Sequence, residues 1–209
     1  MKSREALQIT HTLSSPSKMP CFGYSIPASR CITGGKLRKV KNSICSFCYA
    51  LKGRYVFPNV LTAMEKRYQS LTHPQWVDAM TALISSKRKK DYFRWHDSGD
   101  LQGLTHLENI VEIARRLPST KFWLPTREYT IVRQYIQAGN VIPDNLNIRL
   151  SAFMMDGEAP LPLAKRLGLT TSGVSSEGVT CPAPKQNNSC GDCRACWDKG
   201  TLNVNYKKH

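Results

Sequence analysis

Cysteines at short, fixed spacings are the residues in this chain best suited to chemistry. All eight fall into two groups of four, Cys21, Cys31, Cys45 and Cys48, then Cys181, Cys190, Cys193 and Cys196, with none between. Cys45-Ser46-Phe47-Cys48 is a C-x-x-C, which puts two sulfurs on one side of a tight loop, a spacing that suits a shared metal or cluster. A redox dithiol has the same spacing but ordinarily opens a helix in a thioredoxin-like unit. Cys31, Cys45 and Cys48 together make a three-thiolate site that would leave one iron of a [4Fe–4S] cluster open. Adding Cys21 would close it and limit it to structure or electron transfer. Cys21, between Pro20 and the apolar run 22–26, also reads as a buried free thiol, and all four together as a zinc site. Lys36, Arg38, Lys39 and Lys41 favour thiolate and offset a cluster's negative charge.

The second group supplies four thiolates within sixteen residues, enough for a closed site by itself. Its C-x2-C-x2-C portion is similar to the ferredoxin run, whereas zinc ribbons use two separated pairs. A second [4Fe–4S] cluster is the expectation for Cys181, Cys190, Cys193 and Cys196. Zinc, or ligands shared with the first loop around one cluster, are the alternatives. Four disulfides would suit an exported chain. Clustered thiols in a reducing compartment go to metals.

The elements that must position these thiols are read from hydrophobic period and capping residues. Residues 6–12 read as a first strand. Pro58 opens a helix with Val60, Leu61, Met64, Tyr68 and Leu71 on one face. Thr72–Gln75 reads as a capping box for a second helix, carrying Trp76, Val77, Met80, Leu83 and Ile84 and ending in Lys87–Lys90. A strand at 92–96 ends at Asp97-Ser98-Gly99-Asp100. Thr105–Glu108 reads as another capping box, for a helix with Leu107, Ile110, Val111, Ala114 and Leu117 inward. Then follow a strand 121–124 closed by Pro125-Thr126-Arg127, a helix 131–138, a strand 146–150 ending at Ser151, a short helix 162–167 and a last strand 170–174.

Strand alternating with helix argues an α/β fold, an open partial (β/α) barrel with parallel strands and a cysteine-rich C-terminal tail. Residues 1–177 form the barrel with its cysteine loop. Residues 178–209 form the tail, part of the same globular unit. Chemistry in such sheets gathers beyond the C-terminal strand ends, which here carry Asp97, Ser98, Asp100, Thr126, Arg127, Ser151, Ser172 and Ser175. His96, on its strand, is either a core group or a base. Arg127 is placed to hold a carboxylate or to pair with Asp100 or Glu128.

The chain has 209 residues and a net charge of +15, with basic runs at 36–41 and 87–90. That charge favours polyanions, nucleic acid first; the alternative is a solvated basic face. No apolar run approaches a bilayer span and the N-terminus has no apolar signal region, so a cytoplasmic protein without membrane partners is expected. Phosphate-binding loops, dinucleotide fingerprints, nucleophile elbows and zinc-protease motifs are absent.

The order cysteine loop with Phe47-Cys48, helices, then a strand ending in Ser98-Gly99-Asp100 resembles the radical S-adenosylmethionine superfamily. That resemblance implies three cysteines on three irons of a [4Fe–4S] cluster, with S-adenosylmethionine on the fourth iron. It also implies that the triplet Ser98-Gly99-Asp100 receives the cofactor's amino group and that a polar fourth-strand group such as Ser151 reaches its ribose. Reductive cleavage would then need a reductant protein as partner. The spacer from Cys31 to Cys45 is longer than the superfamily's usual one, and Ser98 and Asp100 replace its usual Gly and Glu. More closely, CSFCYALKGRY, FRWHDSGDLQ, FWLPTRE and CPAP…CGDCRACW resemble the phage gene product 88 domain, from about Cys21 onward. That family implies a bacteriophage protein, in the host cytoplasm, but no activity. The rival expectations are a non-catalytic iron–sulfur redox or nucleic-acid-binding protein and a zinc-stabilised interaction module.

Overall fold

Alternation within the strands separates two faces: Phe93 and Trp95 point one way, Tyr92 and Arg94 the other. The computed structural model, which describes residues 1–208, assembles such strands into one open sheet. Its six strands are β1 (Phe22–Tyr24), β2 (Tyr92–Trp95), β3 (Lys121–Thr126), β4 (Leu146–Ser151), β5 (Thr170–Ser175) and β6 (Asn203–Lys207). All neighbours are parallel and stand in sequence order, so each pair needs a crossover. The sheet does not close: β1 and β6 are its edges. The expected open α/β architecture with parallel strands is therefore present.

The helices are α1 (Ser3–Thr10), α2 (Ile32–Leu37), α3 (Pro58–Ser70), α4 (Trp76–Ser85), α5 (Leu104–Arg116), α6 (Tyr129–Gln137) and α7 (Leu161–Leu167). Phe93, Trp95, Phe122, Leu124, Leu146, Ile148 and Leu150 form one apolar sheet face, packed with Trp76, Met80, Leu107, Ile110 and Val132 of the helices. Each such side chain contributes about 1.5–3 kcal/mol on burial. The other face carries Arg94, Trp123, Asn147 and Arg149. It is roofed by the cysteine loop and by the C-terminal tail, whose Trp197 packs on Trp123.

Several local expectations are corrected. Residues 6–12 are not a strand: they overlap α1, whose Ala6 packs with Ala79 and Leu83 of α4. The true first strand is the short β1. The buried face of α3 is Met64, Arg67 and Ser70, while Leu61 is exposed. Neither expected capping box forms. α4 starts after Gln75, whose N–H is taken by the His73 ring at 3.1 Å, and α5 starts at Leu104 after Gly103, leaving Thr105 inside the helix. Lys87–Lys90 lie beyond the end of α4. β3 runs through Pro125, because pairing with β2 stops at Trp123 and no ladder donor is needed from that residue on that side. β5 is not the last strand, because the tail itself adds β6.

Candidate functional site

The C-terminal strand ends and the polar sheet face enclose a cavity of about 440 Å³ under the cysteine loop and tail. Cys31, Cys45 and Cys48 line it from one side, and Cys181, Cys190 and Cys196 from the other. Asp97, Ser98, Gly99 and Asp100 beyond β2, Arg127 beyond β3 and Ser151 of β4 also line it. The two ends of the sequence thus open into one space.

Local hydrogen bonding shapes the cysteine loop. Ser43 Oγ accepts from the Ser46 N–H at 3.0 Å and the Cys48 N–H bonds the Cys45 carbonyl at 3.3 Å, making a tight turn across the C-x-x-C. The Ile44 N–H to Phe153 carbonyl bond, 2.8 Å, pins this turn to the chain after β4. Cys31 precedes α2, and the buried Glu128 carboxylate accepts from both the N–H (2.8 Å) and hydroxyl (2.7 Å) of Thr33 in its first turn. A Cβ on Gly34 would stand 3.4 Å from Cys45 Sγ and 3.7 Å from Cys31 Sγ, so glycine lets the two sulfurs share that wall. Burial raises the thiol pKa of Cys31, with Asp100, Cys48 and Cys45 adding to it by charge. Burial raises that of Cys45 too, partly opposed by Arg127.

Below these thiols lies Asp100. It accepts from the Leu101 N–H (2.8 Å), the Thr126 hydroxyl (2.6 Å) and the Arg127 N–H (2.9 Å), so it ties the ends of β2 and β3 together. Burial nevertheless outweighs those bonds and lifts its pKa to about 6. Gly99 has φ +89°, and a Cβ there would meet Ile26 Cγ1 at 2.2 Å. The Ser98 carbonyl receives the Ile26 N–H at 3.1 Å. The Arg127 side chain donates from Nε to the Ala152 carbonyl at 3.0 Å; its pairing with Asp100 goes through the backbone. Ser151 Oγ and Ser172 Oγ lie 3.1 Å apart. Asp97, which sequence reasoning left without a role, accepts from Tyr55 (3.0 Å) and Ser14 (3.2 Å).

The tail is anchored by Arg149, fully buried. Its guanidinium donates to the carbonyls of Cys196 (3.0 Å), Asp198 (3.0 Å), Thr201 (2.8 Å) and Thr171 (2.9 Å). Asn147 adds a bond to the Cys196 carbonyl at 3.0 Å. Cys196 Sγ lies 3.2 Å from the Tyr206 hydroxyl. Burial lifts the Cys196 pKa to about 11, with Tyr206, Arg149 and Arg94 opposing. Trp197 donates its indole N–H to the Phe93 carbonyl at 2.9 Å and so anchors the tail.

His96 is buried and also lines the cavity. Its ring packs 5.2 Å from His106 and beside Trp95, both its nitrogens are sealed from solvent, and burial holds it well below the usual histidine range.

Among the described residues, no group of three or more His, Cys, Asp and Glu side chains is arranged to hold a single metal ion. A four-iron cluster takes its ligands at the corners of a cube and needs a wider cage of thiolates. Two buried donors on the cavity wall, Arg94 Nε and Trp123 Nε1, have no acceptor in the protein. Cluster and thiolate sulfurs are acceptors, so the donor set and the wall suit such a group.

A family model described as gene product 88 matches residues 2–199. No curated protein and no solved structure matches the chain.

Proposed function

The chain belongs to the gene product 88 family, and we propose that it is an iron–sulfur protein of the radical S-adenosylmethionine type. One observation carries the reading: Cys31, Cys45 and Cys48 share a cavity with Asp100 at the C-terminal ends of parallel strands. Cys31, Cys45 and Cys48 would hold such a cluster, which would supply the electron for reductive cleavage of S-adenosylmethionine. The electron would come from a low-potential reductant protein. Asp100 would receive the cofactor's ammonium on Oδ2, the oxygen that accepts only from the Arg127 N–H, Arg127 would face the carboxylate with its terminal nitrogens, and Ser151 would face the ribose. Thiols of the group Cys181, Cys190, Cys193 and Cys196 would contribute to a second cluster.

Anaerobically purified protein should be brown and carry iron and sulfide. S-adenosylmethionine should perturb the EPR signal of the reduced protein, and 5′-deoxyadenosine should accumulate. Colourless protein with stoichiometric zinc would sink the iron–sulfur reading and leave a zinc-stabilised module.

A second reading, an iron–sulfur protein that binds nucleic acid without cleaving S-adenosylmethionine, is favoured by charge. No Asp or Glu occurs between Ala6 and Met64, a stretch with eight Lys and Arg that includes the cysteine loop. Phe47, Tyr49 and Phe57 are exposed along it, as suits base stacking beside phosphate contacts. Iron with no spectral response to S-adenosylmethionine, and retention of single strands, would select this reading. No helix among the described residues is long and apolar enough to cross a membrane.

A further inference from the structure

Chain position groups the eight cysteines as four and four, but the fold packs Cys21 beside the later group. Cys21 immediately precedes β1 and is separated from Cys31 by the turn at 28–30. Its side chain packs in a buried cluster with Trp123 and Trp197, against Met19 and Cys196 of the tail group. The backbone makes the same connection: the Cys190 N–H bonds the Lys18 carbonyl at 2.9 Å, three residues before Cys21. Within the tail the Cys193 N–H in turn bonds the Cys190 carbonyl at 3.0 Å. Cys31 and Cys45, by contrast, both lie against Gly34 in the loop.

Arg94 is the only cation of β2. Its guanidinium stacks 4.4 Å from the ring centre of Trp123, which packs with Cys21 and Trp197. Its terminal nitrogen bonds Met19 Sδ at 3.5 Å, and its Nε has no acceptor. The Asp97 carboxylate already offsets part of the enclosed guanidinium's charge; thiolates on a metal cluster would add to that compensation.

We propose that Cys21 is a ligand of the second centre, together with thiols of the Cys181–Cys196 group, and that Arg94 supplies that centre's counter-charge. The loop centre then has three thiolates, and its fourth position is free for a small-molecule ligand. This assignment rests on the iron–sulfur reading and adds to it the distribution of ligands.

The test uses the full chain, with iron and sulfide content and EPR as readouts. In a Cys45→Ser/Cys48→Ser background, which removes the loop centre, adding Cys21→Ser should remove the remaining iron. In a Cys193→Ser/Cys196→Ser background, adding Cys21→Ser should leave the remaining iron unchanged. The opposite pattern would overturn the proposal and make the loop centre closed. The unsubstituted holoprotein gives a second measurement that no misfolding variant can spoil. Cys21 should resist iodoacetamide until chelation strips the iron, as judged by peptide mass; alkylation of Cys21 with both centres intact would overturn the assignment. Arg94→Gln should keep the loop signal and shift or abolish the tail signal; an unchanged tail signal would remove Arg94 from its role. Absence of iron from the unsubstituted protein would instead defeat the iron–sulfur reading itself.

Discussion

Arg149 Nε donates to the carbonyl of Cys196 at 3.0 Å, and the same guanidinium reaches the carbonyls of Asp198 and Thr201. A strand residue thereby gathers the backbone of the last cysteine turn, whose carbonyls no helix or sheet would satisfy. Arg149→Ala should destabilise the protein by about 3 kcal/mol or more, because buried acceptors lose their donor. Limited proteolysis should cut first near residues 190–200, and tail iron should fall while loop iron remains. Arg149→Lys should fail similarly, since one ammonium cannot reach that spread of acceptors.

At Gly99, backbone and space combine. A side chain there is strained by φ +89° and would collide with Ile26. Gly99→Ala should cost about 2 kcal/mol or more, read as a lower urea midpoint with unchanged slope. Trimming Ile26 to Ala in the same chain should relieve the side-chain collision but leave the 2.9 Å approach to the Ile26 carbonyl and the backbone strain.

Asp100 must be tested with its structural duty in view. Asp100→Ala strands the donors of Thr126, Leu101 and Arg127, so a stability loss of about 1–3 kcal/mol is expected beside any loss of S-adenosylmethionine affinity. Thermal unfolding of the cluster-loaded variant separates the two. Undiminished affinity for S-adenosylmethionine in a folded Asp100→Ala protein would remove Asp100 from the binding role.

Acid should unfold the protein through its paired histidines. Burial lowers the pKa of His106 to about 3 and holds that of His96 well below its ordinary value. The unfolded imidazoles take up protons below about pH 6.5 and the folded ones do not. Their contribution is complete above that pH and is lost as pH falls towards 3, at about 1.4 kcal/mol per unit for each histidine. Chemical denaturation of cluster-free protein from pH 7 to 4 checks this, and His106→Phe should remove one histidine's share of the slope.

Charge in the cysteine loop can be separated from charge after α4. If single-stranded nucleic acid lies along residues 36–54, Lys36, Lys39 and Lys41 changed to Gln should lower the salt slope of binding by about two. Changing Lys87–Lys90 should do the same only if that run also touches phosphate. Anisotropy of a labelled oligonucleotide over a salt series distinguishes these, and no retention at low salt would leave both runs as solvated surface.

The alternation of β-branched and aromatic strands with amphipathic helices made the parallel α/β sheet legible in the chain, because period and turn chemistry are local. The strand ends that line the cavity, Asp97 to Asp100, Arg127 and Ser151, were legible for the same reason: parallel connectivity puts every C-terminal end on one rim. Local pattern failed where distant packing decided. Residues 6–12 carry an ambiguous period, settled as helix by α4, and Asn203–Lys207 became a strand because β5 offered it an edge. The packing of Cys21 with Trp123 and Trp197 was likewise out of reach, since spacing along a chain does not say which distant side chains a sulfur meets. Glu128 on Thr33, Arg149 under the tail and Arg94 beside Cys21 span 95, 47 and 73 residues, and only the folded sheet brings such pairs together.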